Sequence, residues 1–372
     1  MIRKNDVHLP LKKHTLMKKQ KVYVIVACLL AILSVIAIVY KKGGFNKSDA
    51  QNLSTIFAIE DTSTITRIFM ADMFGDKVLL TKNAEGWMVD QQRPASKHKI
   101  NDLLATLGSI RVAQPIAKAG HQSIIEMLAV SSTKVEVYET KPLFTLFGRP
   151  FFTKERLLKT YFLGDATQNN LGSYALVEGM SAPYIIYKPG FRGYVTPLFS
   201  PKPIDWYSQQ VFNTKLTRIQ NASFIDVENP ENSFFVEKSG PRSFTLLDAH
   251  KNVVLDYDTT LLINMLSEFR ERNYETFYPN MENSFKDSII QYNLYKIVSV
   301  TDVDNQTTTM KLYHMITVGE LWQGGDLIEE IYHEFNKDRS YATFNENTDE
   351  IYTVQFYHFD RQIQPLSYFL KR

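Results

Sequence analysis

The chain has 372 residues, one cysteine, eight histidines and nearly balanced charge, with Lys and Arg numbering 42 against 40 for Asp and Glu and a formal net of +2. A single thiol excludes an internal disulfide framework and every Cys-x-x-Cys metal clip, while a chain of this length can bury more than one core. The positive charge is not where a nucleic-acid surface would need it: Arg3, Lys4, Lys12, Lys13, Lys18, Lys19 and Lys21 face Asp6 alone before residue 22, so the remainder is net acidic and no nucleic acid is expected as a partner.

Val22 to Tyr40 passes without a charge. An apolar run of this length, read as a helix, suits the hydrocarbon core of a bilayer, and Tyr23 and Tyr40 sit at its two ends. With the heavier basic cluster on its N-terminal side, residues 1–21 are expected as a cytoplasmic tail, 22–40 as a single transmembrane helix, and the bulk as periplasmic. The run ends in Ile-Val-Tyr-Lys-Lys rather than in a small-residue cleavage site, so an uncleaved signal anchor is expected. Ile25-Val-Ala-Cys28 looks like a lipobox, but too few apolar residues precede Cys28 and those that follow stay apolar. Residues 41–54, with Gly43 and Gly44, form a polar stalk.

Beyond the stalk the pattern is strand-rich. Ile65-Thr-Arg-Ile-Phe-Met70 and Lys77-Val-Leu-Leu-Thr-Lys82 are β-branched runs around a Phe74-Gly-Asp76 turn signal, and Gly86-Trp-Met-Val-Asp90 follows as another strand. Over Lys97–Ile110 the period changes: Ile100, Leu103, Leu104 and Leu107 fall on one helical face. The order then recurs. Ile65-Thr-Arg-Ile68 is echoed by Leu216-Thr-Arg-Ile219, and the helical stripe by Thr260–Phe269. Ser123-Ile-Ile is echoed by Ser288-Ile-Ile, Gly172-Ser-Tyr-Ala175 by Arg339-Ser-Tyr-Ala342, and Thr196-Pro-Leu-Phe199 by Gln364-Pro-Leu-Ser-Tyr-Phe369. The expected fold class is α+β: an N-terminal single transmembrane helix followed by two similar, strand-rich α+β domains, 55–200 and 205–372, joined through Ser200-Pro-Lys-Pro203.

Catalytic patterns are scarce. His314, His333 and His358 lie in aromatic surroundings without the i, i+4 pairing of a zinc helix. Thr301-Asp-Val-Asp-Asn-Gln306 lacks the glycine and terminal glutamate of a calcium loop and reads as a hairpin tip. No Gly-x-Ser-x-Gly elbow or phosphate loop occurs, and no cofactor, metal or catalytic residue is assigned. Tyr184–Tyr187 and Phe356–Phe359 read as aromatic strands. Asp258-Thr-Thr260 and Asp287-Ser-Ile289 fit a short O-glycosylation pattern. The candidate interaction loop is Pro189, Gly190, Phe191, Arg192 and Gly193, which presents an aromatic ring and a guanidinium between glycines.

In its order of segments the chain resembles the bacterial envelope family known as domain of unknown function 4340. The resemblance runs from the lysine-rich start through Asp61–Ile68, Val78–Val89, Leu103–Leu107 and Val135–Tyr138 to Tyr184–Gly193 and Asp205-Trp206. It implies a non-enzymatic inner-membrane protein, a scaffold or accessory subunit of an envelope transport or motility assembly with membrane or periplasmic protein partners. The alternative is a periplasmic ligand-binding module for glycan, lipid or peptide, with its site in an inter-domain cleft.

Overall fold

Two strands of strict alternation would bury every second residue, and β1 (Ile65–Ala71) does not: Ile65, Ile68 and Met70 are the residues that face inward. A β-bulge between Ile65 and Arg67 inserts the extra residue and resets the alternation. This feature belongs to a computed structural model that describes residues 56–146, 149–241, 243–323 and 326–371. The described chain divides into two compact units, Met1–Leu79 with Asn101–Lys202, described from Ile56, and Leu80–Ile100 with Pro203–Arg372.

After β1 come β2 (Lys77–Lys82), β3 (Trp87–Val89) and β4 (Arg93–Pro94), where β2 pairs β3 and β3 pairs β4, all antiparallel. Helix α1 (Lys97–Ser109) follows with Ile100, Leu103 and Leu107 buried on one face, as its period predicts. Then come β5 (Arg111–Pro115), α2 (His121–Ser131), β6 (Thr133–Leu146), β7 (Arg149–Ala166), β8 (Ser173–Val177) and β9 (Tyr184–Tyr187). In the first unit the strands lie in the order β1-β6-β7-β8-β9-β5, every neighbouring pair antiparallel. Its start is fixed from inside: the Tyr161 hydroxyl donates to the Phe57 carbonyl at 2.8 Å, and Lys159 Nζ donates to the carbonyls of Ile56 and Ala58. Burial holds the Lys159 ammonium below the ordinary lysine range, with the Glu60 charge opposing.

The second unit continues with β10 (Gln210–Phe212), β11 (Ile219–Asp226), β12 (Phe234–Gly240), β13 (Ser243–Leu247), α3 (Thr259–Ser267), β14 (Arg272–Asn273), β15 (Thr276–Tyr278) and α4 (Asn283–Tyr292). It ends with β16 (Leu294–Asp302), β17 (Thr307–Tyr313), β18 (Ile316–Gln323), β19 (Asp326–Phe335), β20 (Arg339–Phe344), β21 (Asn347–Gln355) and the single turn α5 (Phe356–Phe359). Its main sheet runs β13-β12-β11-β16-β17-β20-β21-β15. Asp258 caps α3 by accepting from the amides of Thr260 and Leu261, and the helix lays Leu262, Met265 and Leu266 into a core that includes Phe212, Phe224, Phe234, Phe359 and Phe369.

The strand order β1-β6-β7-β8-β9-β5 therefore reappears as β11-β16-β17-β20-β21-β15, and α+β with two strand-rich sheets is the architecture. The two differ in where the chain makes its long excursion. In the first unit β6 and β7 pair as far as Leu146 and Arg149; in the second the β18–β19 hairpin stands as a separate two-stranded sheet between β17 and β20. One of the matched motifs is out of register in the structure. The structural partner of Ile219 is Ile65, not Ile68: both open their strands after a short 3-10 turn, both are fully buried, and β11 has its own bulge between Ile219 and Asn221. Leu216-Thr-Arg218 is that 3-10 turn, so its likeness to Ile65-Thr-Arg67 compares a turn with a strand.

The Ser-Tyr-Ala match, in contrast, falls on equivalent strands. Ser173 on β8 is fully buried, and its Oγ accepts from the amides of Val195 and Thr196 at 3.0 and 3.2 Å. Ser340 on β20, equally buried, donates to the Tyr313 carbonyl at 2.7 Å and accepts from the Tyr295 hydroxyl at 3.2 Å. Ser173→Ala leaves the buried Val195 amide without its acceptor and is expected to cost about 1–3 kcal/mol, read as a lower urea midpoint.

Several expectations require correction. No helix among the described residues is long and apolar enough to cross a membrane. The predicted span, Val22–Tyr40, lies outside the described residues, as do the tail and nearly all of the stalk. A transmembrane helix is accordingly no part of the described fold, and single-pass topology, inner-membrane location and a membrane partner are not carried further. Phe356–Phe359 is a helical turn and not a strand: Phe359 is buried and Tyr357 is 86% exposed, so the aromatic run follows a helical spacing rather than alternation.

Candidate functional site

Two tight turns and one aromatic cluster shape a cavity of about 370 Å³, lined entirely by residues of the second unit. Between β3 and β4 the chain reverses through Asp90 and Gln91, at φ 49° and 59°. Between β20 and β21 it reverses through Asn345 and Glu346, at φ 52° and 61°. Consecutive positive φ values match the right-handed twist of a two-residue hairpin, at a conformational cost for residues that are not glycine. The first turn delivers Arg93 to the cavity; the second delivers Asn345 and Asn347. Asn345 is pinned to β17, its amide donating to the Thr309 carbonyl at 2.9 Å and its Oδ1 accepting from the Thr309 amide at 3.0 Å.

Arg93 is the centre of the cluster. Its guanidinium carbon lies 5.0 Å from the Tyr207 ring centroid and 4.9 Å from that of Phe277. It is ion-paired with Glu350, whose second oxygen accepts from the Tyr352 hydroxyl at 2.6 Å. Glu350 and Tyr352 stand two apart on β21 and so share a face. The Tyr352 ring stacks on Phe277 at 4.9 Å and meets Tyr274 at 4.7 Å and Phe344 at 5.0 Å. Burial pushes the phenols of Tyr274 and Tyr352 above the ordinary tyrosine range, so both remain hydroxyl donors at neutral pH.

Beside the cavity, Glu275 is held by Arg339 through Nε at 2.7 Å and a terminal guanidinium nitrogen at 2.8 Å. Those hydrogen bonds hold its carboxyl below the usual carboxylate range. A second depression adjoins His314, whose ring is layered between Tyr295 at 4.1 Å and Phe335 at 3.9 Å, with Nε2 2.9 Å from Glu228 Oε1. The side chain of His333 lies outside the described residues, and His358 is exposed on α5. Among the described residues no three His, Cys, Asp or Glu side chains gather as a metal site.

The loop singled out from sequence takes no part in the cavity. Pro189 and Gly190 form a turn closed by the Phe191 amide donating to the Lys188 carbonyl at 3.1 Å, with Gly190 at φ 78°. Phe191 is 42% exposed, and its ring folds back over Gly193, where an added Cβ would come within 3.2 Å of it. Arg192 is exposed. Thr301–Gln306 is the tip of the β16–β17 hairpin, its Asp302 accepting from the amides of Asp304 and Gln306. Sequence reasoning missed Arg93, Tyr207, Tyr274, Glu350 and Tyr352. Only the same-face spacing of the last two was visible in advance.

Compared with known proteins, the chain matches no family model, no curated protein and no solved structure. The resemblance to domain of unknown function 4340 is therefore not upheld, and the envelope-assembly role it implied is set aside.

Proposed function

We propose that the protein is a non-catalytic ligand-binding module whose site is the cavity beside Arg93. The observation that carries this reading is the make-up of the wall: Tyr207, Tyr274 and Phe344 line it together with a few polar groups, as in sites that bind small molecules. The lining supports binding over catalysis. It contains neither histidine nor cysteine, and its one carboxylate, Glu350, is occupied by Arg93 and the Tyr352 hydroxyl. The site resides within one unit, so it replaces the inter-domain cleft as the location proposed for a ligand.

The test is a thermal-shift screen of the intact protein against glycans, fatty acids and peptides, repeated with Tyr274→Ala. A true ligand at one hundred times its Kd stabilises the native state by about 2.7 kcal/mol and raises Tm accordingly. That rise is expected to vanish in the variant. A ligand that shifts both proteins equally binds elsewhere and removes the cavity from consideration.

A further inference from the structure

We infer that the ligand of this cavity is a short, neutral glycan, an inference that rests on the binding reading above. Charge comes first. Arg93 and Glu350 are the charged residues of the lining and they neutralise each other, so the wall offers no net attraction to an anionic or cationic ligand.

Shape and surface come next. A sugar ring has an apolar C–H face and a girdle of hydroxyls, and the cavity has the complement of both. Tyr207, Tyr274 and Phe344 supply aromatic surface. The Gln210 amide places a donor beside an acceptor, the arrangement that adjacent hydroxyls can satisfy, and Asn347 adds its NH2 donor, its Oδ1 already accepting from the Asp349 amide at 3.0 Å. Both residues are exposed, so these groups are reachable from solvent. An acyl chain would strip water from those amides and from the ion pair without replacing the lost hydrogen bonds. A peptide bound by strand addition would need a free main-chain edge, whereas the lining is characterised by aromatic side chains and side-chain amides. At about 370 Å³ the cavity is at the small end of the roughly 300–1,000 Å³ typical of ligand sites, which suits a short ligand.

The experiment is isothermal titration of the full chain with maltotriose, cellotriose and chitotriose, alongside trigalacturonate, oleate and a neutral hexapeptide. One neutral trisaccharide is expected to bind, and to bind about tenfold more weakly to Tyr274→Ala, the loss of one aromatic contact. Gln210→Ala, at an exposed position, keeps the fold and is expected to weaken the same sugar. Trigalacturonate is expected to bind less tightly than the neutral sugars. Oleate or peptide binding that is lost in Tyr274→Ala would keep the cavity as the binding site and overturn the glycan class. Sugar binding untouched by either substitution, or no binding of any probe, would overturn both.

Discussion

Phe234→Ala is expected to destabilise the second unit by about 3–5 kcal/mol, the cost of removing a fully buried aromatic ring from a core. Phe234 is 1% exposed, stacks on Phe224 at 5.4 Å and meets Phe369 edge-on at 5.1 Å. Phe369 in turn lends its carbonyl to the amide of Asp258, the cap of α3, so the cavity left behind reaches the helix terminus through one neighbour. Phe235 supplies the control. It is the next residue on β12, half-buried on the opposite face beneath Lys251, and Phe235→Ala is expected to cost less than about 1 kcal/mol. Urea unfolding followed by circular dichroism separates the two; equal costs would refute the inward and outward assignment of these rings.

Alternation and helical period are local signals, and they are the part of the fold that was legible in sequence. The amphipathic stripe at Ile100, Leu103 and Leu107 and the helical stripe after Thr260 are carried by residues a few positions apart. Bulges were not legible. Ile65 and Ile219 are equivalent only because each strand takes one extra residue at its start, and a string comparison that ignores the bulge pairs the wrong isoleucines. The cavity was invisible for a different reason. Arg93, Tyr207, Tyr274 and Glu350 come from four separate segments, and what joins them is the arrangement of strands, not spacing along the chain. The Pro189–Gly193 loop was legible as a turn, with Gly190 and Gly193 at positive φ.

Raising the pH above about 10 is expected to destabilise the protein progressively, because buried phenols, Tyr295 and Tyr161 foremost, keep their protons in the native state and release them on unfolding. Burial pushes Tyr295 up to about 12, and it places Tyr161, fully enclosed in the first unit, well above the ordinary phenol range. In both cases the native state binds more protons than the unfolded chain, so stability is intact below the unfolded value and falls as pH rises toward the folded one. Tyr295 alone withdraws roughly 2–3 kcal/mol by pH 12. Lys159 works in the opposite sense: its folded value is lowered, so its contribution rises with pH and offsets part of the loss. Urea midpoints at pH 8, 10 and 11 read the balance, with a shallower decline expected for Tyr295→Phe. A flat profile to pH 11 in the unsubstituted protein would contradict the burial of these hydroxyls.

The placement of β5 and β15 sets the order in which each sheet can form. Arg111 on β5 must wait for Tyr187 on β9, and Phe277 on β15 must wait for Tyr352 on β21, since each edge strand pairs with the last strand of its sheet. Contacts so distant along the chain delay folding, and a nascent chain released before β9 or β21 emerges carries an unpaired edge with nothing to close it. Each unit is thus completed at its C-terminal end, and a truncation that removes only β21 would strip the partner from a strand made long before it.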